Sequence, residues 1–178
     1  MVILCDMDGV VAQLEKPWLE MYNRDYNDCL TVEDINDFNW SKCVKPECGN
    51  KIFDYLKVEG LFLNCEPYLE SVDALMQLYL DKHDIYFVTK SPTDSRFAYF
   101  EKLEWIDKHV PFVGRDRVIC TGQKHMVRGD VLIDDYPKNL INFPGKRILM
   151  DRPWNRQVQE PSLVRVHSWF EVLIQVQL

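Results

Sequence analysis

The chain has 178 residues, 47% of them hydrophobic and 28% charged, enough for one good hydrophobic core with a small inserted subdomain. Its 21 basic and 28 acidic side chains leave a formal charge of −7, which argues against a broad nucleic-acid footprint but leaves small anionic substrates open. No apolar run reaches the length of a membrane span, and the N-terminal apolar stretch holds an acid pair foreign to a signal peptide. Six cysteines without framework spacing point to a reduced, cytoplasmic protein.

In chain order, the first predicted element is a short buried strand over Val2–Cys5, which runs straight into Asp6-Met7-Asp8-Gly9. Side chains two apart on a strand point the same way, so the two carboxylates share one side, and Gly9 lets the chain turn sharply behind them. Residues 15–67 then read as helical. Leu14, Trp18, Tyr22 and Tyr26 recur at helical spacing, Thr31 with Asp34 resembles an N-cap, and Ile52, Phe53 and Leu56 suggest another helix ending at Gly60.

After residue 67, helical patterns alternate with short strands. Leu69, Val72, Leu75, Met76 and Tyr79 mark one helix; Phe97, Phe100, Leu103 and Ile106 mark another; a last one covers Ser168–Val176 with Ser168 as N-cap. The strands are Ile85–Thr89, Val118–Cys120, Val131–Ile133, Arg147–Met150 and Leu163–Val166, each rich in Val, Ile or Leu as strands covered on both faces should be. The alternation predicts an α/β fold, a three-layer, Rossmann-like parallel sheet built from residues 1–14 and 68–178. Residues 15–67 form a small helical cap inserted after the first strand. Ligands in open α/β sheets bind beyond the carboxyl ends of the strands, so the cap would lie over that site as a lid.

Polar groups cluster just after four of these strands: Asp6 and Asp8, then Thr89-Lys90-Ser91, then Lys124, then Asp134-Asp135. Their chemistry is mutually consistent. Carboxylates from two strands can hold Mg²⁺, a hard cation that prefers oxygen. Thr89 and Lys124 can bind phosphate, Asp6 can act as a nucleophile, and Asp8 can carry protons.

This set resembles the four motifs of the haloacid dehalogenase-like phosphatases, in order and spacing, over nearly the whole chain. Within that superfamily, Val88-Thr89-Lys90-Ser91-Pro92, the segment Asp130 to Asn139, and Asp151-Arg152-Pro153-Trp154-Asn155 are similar to the 5′(3′)-deoxyribonucleotidases. The resemblance implies an HAD-like core and a Mg²⁺-dependent phosphatase acting on nucleoside monophosphates through an aspartyl-phosphate on Asp6. It makes Asp8 the general acid/base and a metal ligand through its backbone carbonyl, Asp134 the third protein ligand, and Asp135 a supporting acid. Thr89 and Lys124 would bind phosphate, with Lys90 and Ser91 beside them. Lys90 departs from the small residue usual after the motif threonine.

Phe38 and Trp40 match the cap aromatics that stack on the base, although aromatics in a small insertion usually form its core. Cys29, Cys43, Cys48 and Cys65 lie in or beside the cap without a Cys-x-x-Cys pair, which favours thiols over zinc. The expected partner is a small nucleotide, with no membrane and no long nucleic acid, and with a homodimer allowed. Two alternatives stand beside this reading. One is the same chemistry on a sugar phosphate or a nucleic-acid 3′-phosphate; the other is a catalytically silent nucleotide-binding module.

Overall fold

Runs of Val, Ile and Leu favour extended backbone because branched side chains pack well on a pleated surface. In the computed structural model, which describes residues 1–178, six such runs form one sheet. They are β1 (Val2–Cys5), β2 (Asp84–Thr89), β3 (Val118–Cys120), β4 (Val131–Asp134), β5 (Lys146–Met150) and β6 (Val164–Val166). Their order is β3-β2-β1-β4-β5-β6, with every pairing parallel. The chain runs outward from β1 to β3 and then returns to place β4 against the other side of β1, so the topological switch lies between β1 and β4. Cys5 is level with Phe87 on one side and Ile133 on the other, which aligns three strand tips.

Alternate strand residues feed two cores, as the two-residue period requires. Ile3, Cys5, Ile85, Phe87, Val131, Ile133, Ile148 and Met150 belong to a cluster of 37 buried residues. It also takes in side chains of α1 (Glu15–Tyr26), α2 (Ser71–Leu80), α3 (Ala98–His109) and α5 (Trp169–Gln177). Leu4, Val88, Leu132 and Leu149 join Phe143 and Leu140, the latter on α4 (Pro137–Ile141), in a second cluster. Ser168 caps α5 by accepting from the Glu171 N–H. No helix is long and apolar enough to cross a membrane.

Between β1 and α2 there is helix α1 and a series of short 3₁₀ turns at Val32–Asp34, Trp40–Lys42 and Gly49–Lys57. The Thr31–Asp34 box is present. The expected helix around Ile52 is thus a 3₁₀ segment. Trp18 ties α1 to it by donating from Nε1 to the Ile52 carbonyl at 2.8 Å. Trp18 and Trp40 stack with ring centroids 3.9 Å apart and planes 13° apart. These aromatics belong to the same buried cluster as β1, so the helical segment packs continuously onto the sheet domain. Glu101 of α3 adds polar ties, accepting from the N–H groups of Gly60, Phe62 and Leu63 at 2.6, 3.0 and 3.4 Å.

Two helices bury only part of the stripe their spacing suggests. On α2, the expected Leu75 faces the core with Ala74 and Leu78, whereas Met76 and Tyr79 are exposed, as is Leu69, which precedes the helix. On α3, the expected Leu103 and Ile106 are buried together with Ala98, Lys102 and Trp105, while Phe100 is exposed. Both helices are apolar on more than one side, and periodicity alone does not choose between stripes.

Candidate active site

The tips of β1 and β4 place Asp6 and Asp134 beside one another, held in step by the Asp6 N–H donating to the Ile133 carbonyl at 2.9 Å. Lys124 bridges them, its Nζ lying 2.7 Å from Asp6 Oδ1 and 2.8 Å from Asp134 Oδ2. The Lys124 side chain is 2% exposed. Burial opposes its charge, but Asp134 and Asp6 more than offset this and keep it protonated. Asp134 also accepts from the Tyr136 N–H at 2.8 Å and from Asn139 Nδ2 at 3.0 and 3.1 Å, so both its oxygens are engaged. Asp135 accepts from Trp154 Nε1 at 2.7 Å on one oxygen only. Asn155, fully buried, braces this tip by donating to the carbonyls of Asp135 and Met150 at 2.8 and 2.9 Å.

Gly9 is required at its position on two grounds. Its φ is +73°, and a Cβ there would lie 2.6 Å from Asp135 Oδ2 and 3.2 Å from the Trp154 ring. Gly9→Ala is therefore expected to lower unfolding stability by roughly 1–3 kcal/mol through backbone strain and to displace Asp135. Denaturant unfolding of the variant, with phosphatase assays in parallel, measures both effects.

Asp8 leaves the β1 tip beside α3, and here the structure adds a residue that the sequence reading missed. Lys102, buried on α3, directs its ammonium to Asp8 Oδ2 at 2.6 Å, Thr89 Oγ1 at 2.7 Å and the Lys90 carbonyl at 2.7 Å. All three N–H donors are used, so Lys102 locks Asp8 to the β2 tip. Burial pushes the Asp8 carboxyl up against the pull of Lys102, leaving a group able to carry a proton. Lys102 lies four residues after buried Ala98 and three before buried Trp105, so a lysine on the core stripe was the available signal.

Thr89 is fully buried and occupied by Lys102; it does not line the cleft. The Ser91 hydroxyl is buried without a partner, while Lys90 is exposed at the rim.

Oxygens of Asp6, Asp134 and Asp135 all lie within 4.8 Å of one another. Three buried carboxylates face one bridging ammonium, and burial together with Asp134 and Asp6 drives the Asp135 carboxyl well above its ordinary range. This all-oxygen, acid-rich donor set fits a hard divalent cation, whose charge would relieve that repulsion.

A cleft of about 510 Å³ opens over these groups. Asp6, Asp8, Lys124 and Asp135 line its charged side, and Trp18, Trp40, Phe53 and Phe62 line the side formed by the helical segment and its end. Trp40 reaches the cleft, but Trp18 covers one of its faces. Phe38 also reaches it, its ring tilted by 32° against Tyr136 of the sheet domain with 3.9 Å between centroids, which leaves no slot for a base between the two rings.

The chain matches, over residues 1–177, the sequence model of the family described as 5′ nucleotidase, deoxy (pyrimidine), cytosolic type C protein. It is 34% identical over 172 residues to a 5′(3′)-deoxyribonucleotidase of Clostridium acetobutylicum, covering 93% of this chain and 89% of the relative. It is 31% identical to the Bacillus subtilis 5′(3′)-deoxyribonucleotidase, covering 96% and 95%. Its fold resembles that of a haloacid dehalogenase-like hydrolase from Streptococcus pneumoniae, with a TM-score of 0.66, 12% identity and coverage of 99% and 98%.

Proposed function

The chain belongs to the 5′-nucleotidase family of deoxy, cytosolic type C proteins and is a phosphoric monoester hydrolase; on that premise we propose that it hydrolyses deoxyribonucleoside monophosphates through a phosphoryl-enzyme on Asp6. The observation that carries the proposal is the division of labour between two carboxylates two residues apart. Asp6 stands at the cleft with Lys124 on one oxygen, while Asp8 is held apart by Lys102. Equivalent environments would give both acids the same role; these environments separate nucleophile from proton carrier.

In the proposed reaction, a carboxylate oxygen of Asp6 attacks phosphorus as the bond to the nucleoside oxygen breaks. Asp8 gives that oxygen its proton. Asp8 then takes a proton from the water that attacks the acyl phosphate, releasing inorganic phosphate and restoring Asp6. Lys124 neutralises charge on the phosphoryl oxygens, and we assign the Ser91 hydroxyl, buried and unpartnered two residues past β2, as a further donor to the phosphate. Mg²⁺, when bound, screens the phosphate from the carboxylates. Asp6 and Asp134 would hold it, with Asp135 adjacent, and the resemblance adds the Asp8 carbonyl as a further ligand. Residues 15–67 act as the cap, and their aromatics give the nucleoside an apolar wall. That wall favours a base-bearing substrate over a sugar phosphate.

A rate panel over all deoxy- and ribonucleoside monophosphates, sugar phosphates and a generic aryl phosphate tests the reading. Turnover should be fastest on deoxynucleotides, require Mg²⁺ and vanish with chelator. A sugar phosphate hydrolysed faster than any nucleotide would move the substrate elsewhere. Tight nucleotide binding without turnover would make the chain a binding module.

A further inference from the structure

Apart from one residue, the cap side of the cleft is apolar. The exception is Glu15, the first residue of α1, which lines the cleft and is 4% exposed. The Tyr68 hydroxyl donates to Glu15 Oε1, and the other carboxylate oxygen accepts from no other residue. Tyr68 is itself held in place: the Arg152 guanidinium lies 3.8 Å over its ring and donates to the Gly9 carbonyl at 2.6 Å. Glu15 is thus positioned from behind by a phenol and a cation, has no ion-pair partner, and belongs to neither the phosphate nor the metal cluster. A carboxylate oxygen that lines a cleft and has no side-chain donor takes one from water or from a ligand, and such a site discriminates against a ligand that cannot supply one.

We propose that Glu15 is the residue that reads the nucleoside: the carboxylate oxygen not held by Tyr68 accepts a hydrogen bond from a neutral N–H or O–H of the bound substrate. This rests on the nucleotidase reading above and adds to it a specificity determinant. The donor comes from the base or from the sugar, and the choice is open to direct test.

Deoxyuridine 5′-monophosphate carries both donors. Its N3-methyl derivative lacks the base N–H, and 2′,3′-dideoxyuridine 5′-monophosphate lacks the sugar hydroxyl. Wild-type kcat/KM should fall about 10- to 100-fold on one of the two analogues, and that analogue identifies the donor. In Glu15→Gln the Tyr68 hydroxyl claims the amide oxygen and turns the NH₂ toward the cleft, where it faces a donor. Volume is unchanged, so a purely steric penalty for the methyl group would persist. Parent turnover should therefore drop, and the ratio between parent and analogue should collapse toward one. Glu15→Ala should show the same collapse. A wild-type enzyme that treats all three substrates alike overturns the proposal. So do variants that slow every substrate equally and preserve the ratio, because Glu15 would then only brace the cap. Absence of turnover on all three by wild type would refute the nucleotidase reading itself, a result distinct from either.

Discussion

Replacing Asp6 by Asn is expected to lower turnover of any nucleoside monophosphate by about 10⁴-fold or more, the scale seen when a covalent nucleophile is removed. The amide has the size and shape of the carboxylate but cannot displace a nucleoside oxygen from phosphorus. The fold should survive. The Met7 N–H that reaches Asp6 Oδ1 at 2.7 Å still meets an oxygen, and Lys124 keeps Asp134 at 2.8 Å. Neutralising Asp6 costs Lys124 one of its two carboxylate partners but relieves repulsion with Asp134 and Asp135, so the two effects oppose one another. Stopped assays with circular-dichroism unfolding measure both halves of the prediction: an inactive enzyme that still unfolds cooperatively, near the wild-type midpoint. Substantial turnover by a folded Asp6→Asn protein would require another nucleophile.

The second large effect is expected from Lys102→Met. Methionine fills much of the space, but three bonds disappear together: those to Asp8, Thr89 and the Lys90 carbonyl. Positioned acid–base groups contribute roughly 10²–10⁴-fold, and kcat should fall within that range as Asp8 loses its fixed orientation. The pH dependence gives the more specific signature. A positive neighbour favours the ionised carboxylate, so removing Lys102 raises the Asp8 pKa further, and the limb of the pH–rate profile set by Asp8 moves to higher pH. A uniform loss of activity with an unmoved profile would mean that Lys102 serves only to join α3 to the strand tips.

The strands were legible because each is a brief run of branched residues bounded by turn or polar residues, and every one of them lies within a residue of its expected limits. Val2–Cys5 and Val118–Cys120 coincide with their expected spans. The site was legible at the same places for a related reason: in a parallel sheet, residues just past the strands converge whatever their separation in the chain. Asp6 and Lys124 meet at 2.7 Å because each follows a strand. Lys102 obeys no such rule. It enters from the middle of a helix, where a lysine ordinarily signals solvent, and its inward course shows only in its contacts with Asp8, Thr89 and the Lys90 carbonyl. Residues 15–67 were the least legible part, since their short 3₁₀ turns have little periodicity and their aromatics choose partners in three dimensions. Trp40 stacks on Trp18, and Phe38 crosses to Tyr136, neither of which sequence spacing specifies.

The central claim is that phosphate passes through Asp6. Rapid acid quench of the Mg²⁺-loaded enzyme with excess deoxynucleotide, followed by peptide mass spectrometry, tests it most directly. The account predicts one added phosphoryl group on the peptide that contains Asp6, appearing before free phosphate and absent from Asp6→Asn. Full turnover with no phosphorylated peptide at any quench time, or with the phosphoryl group on another residue, would contradict it.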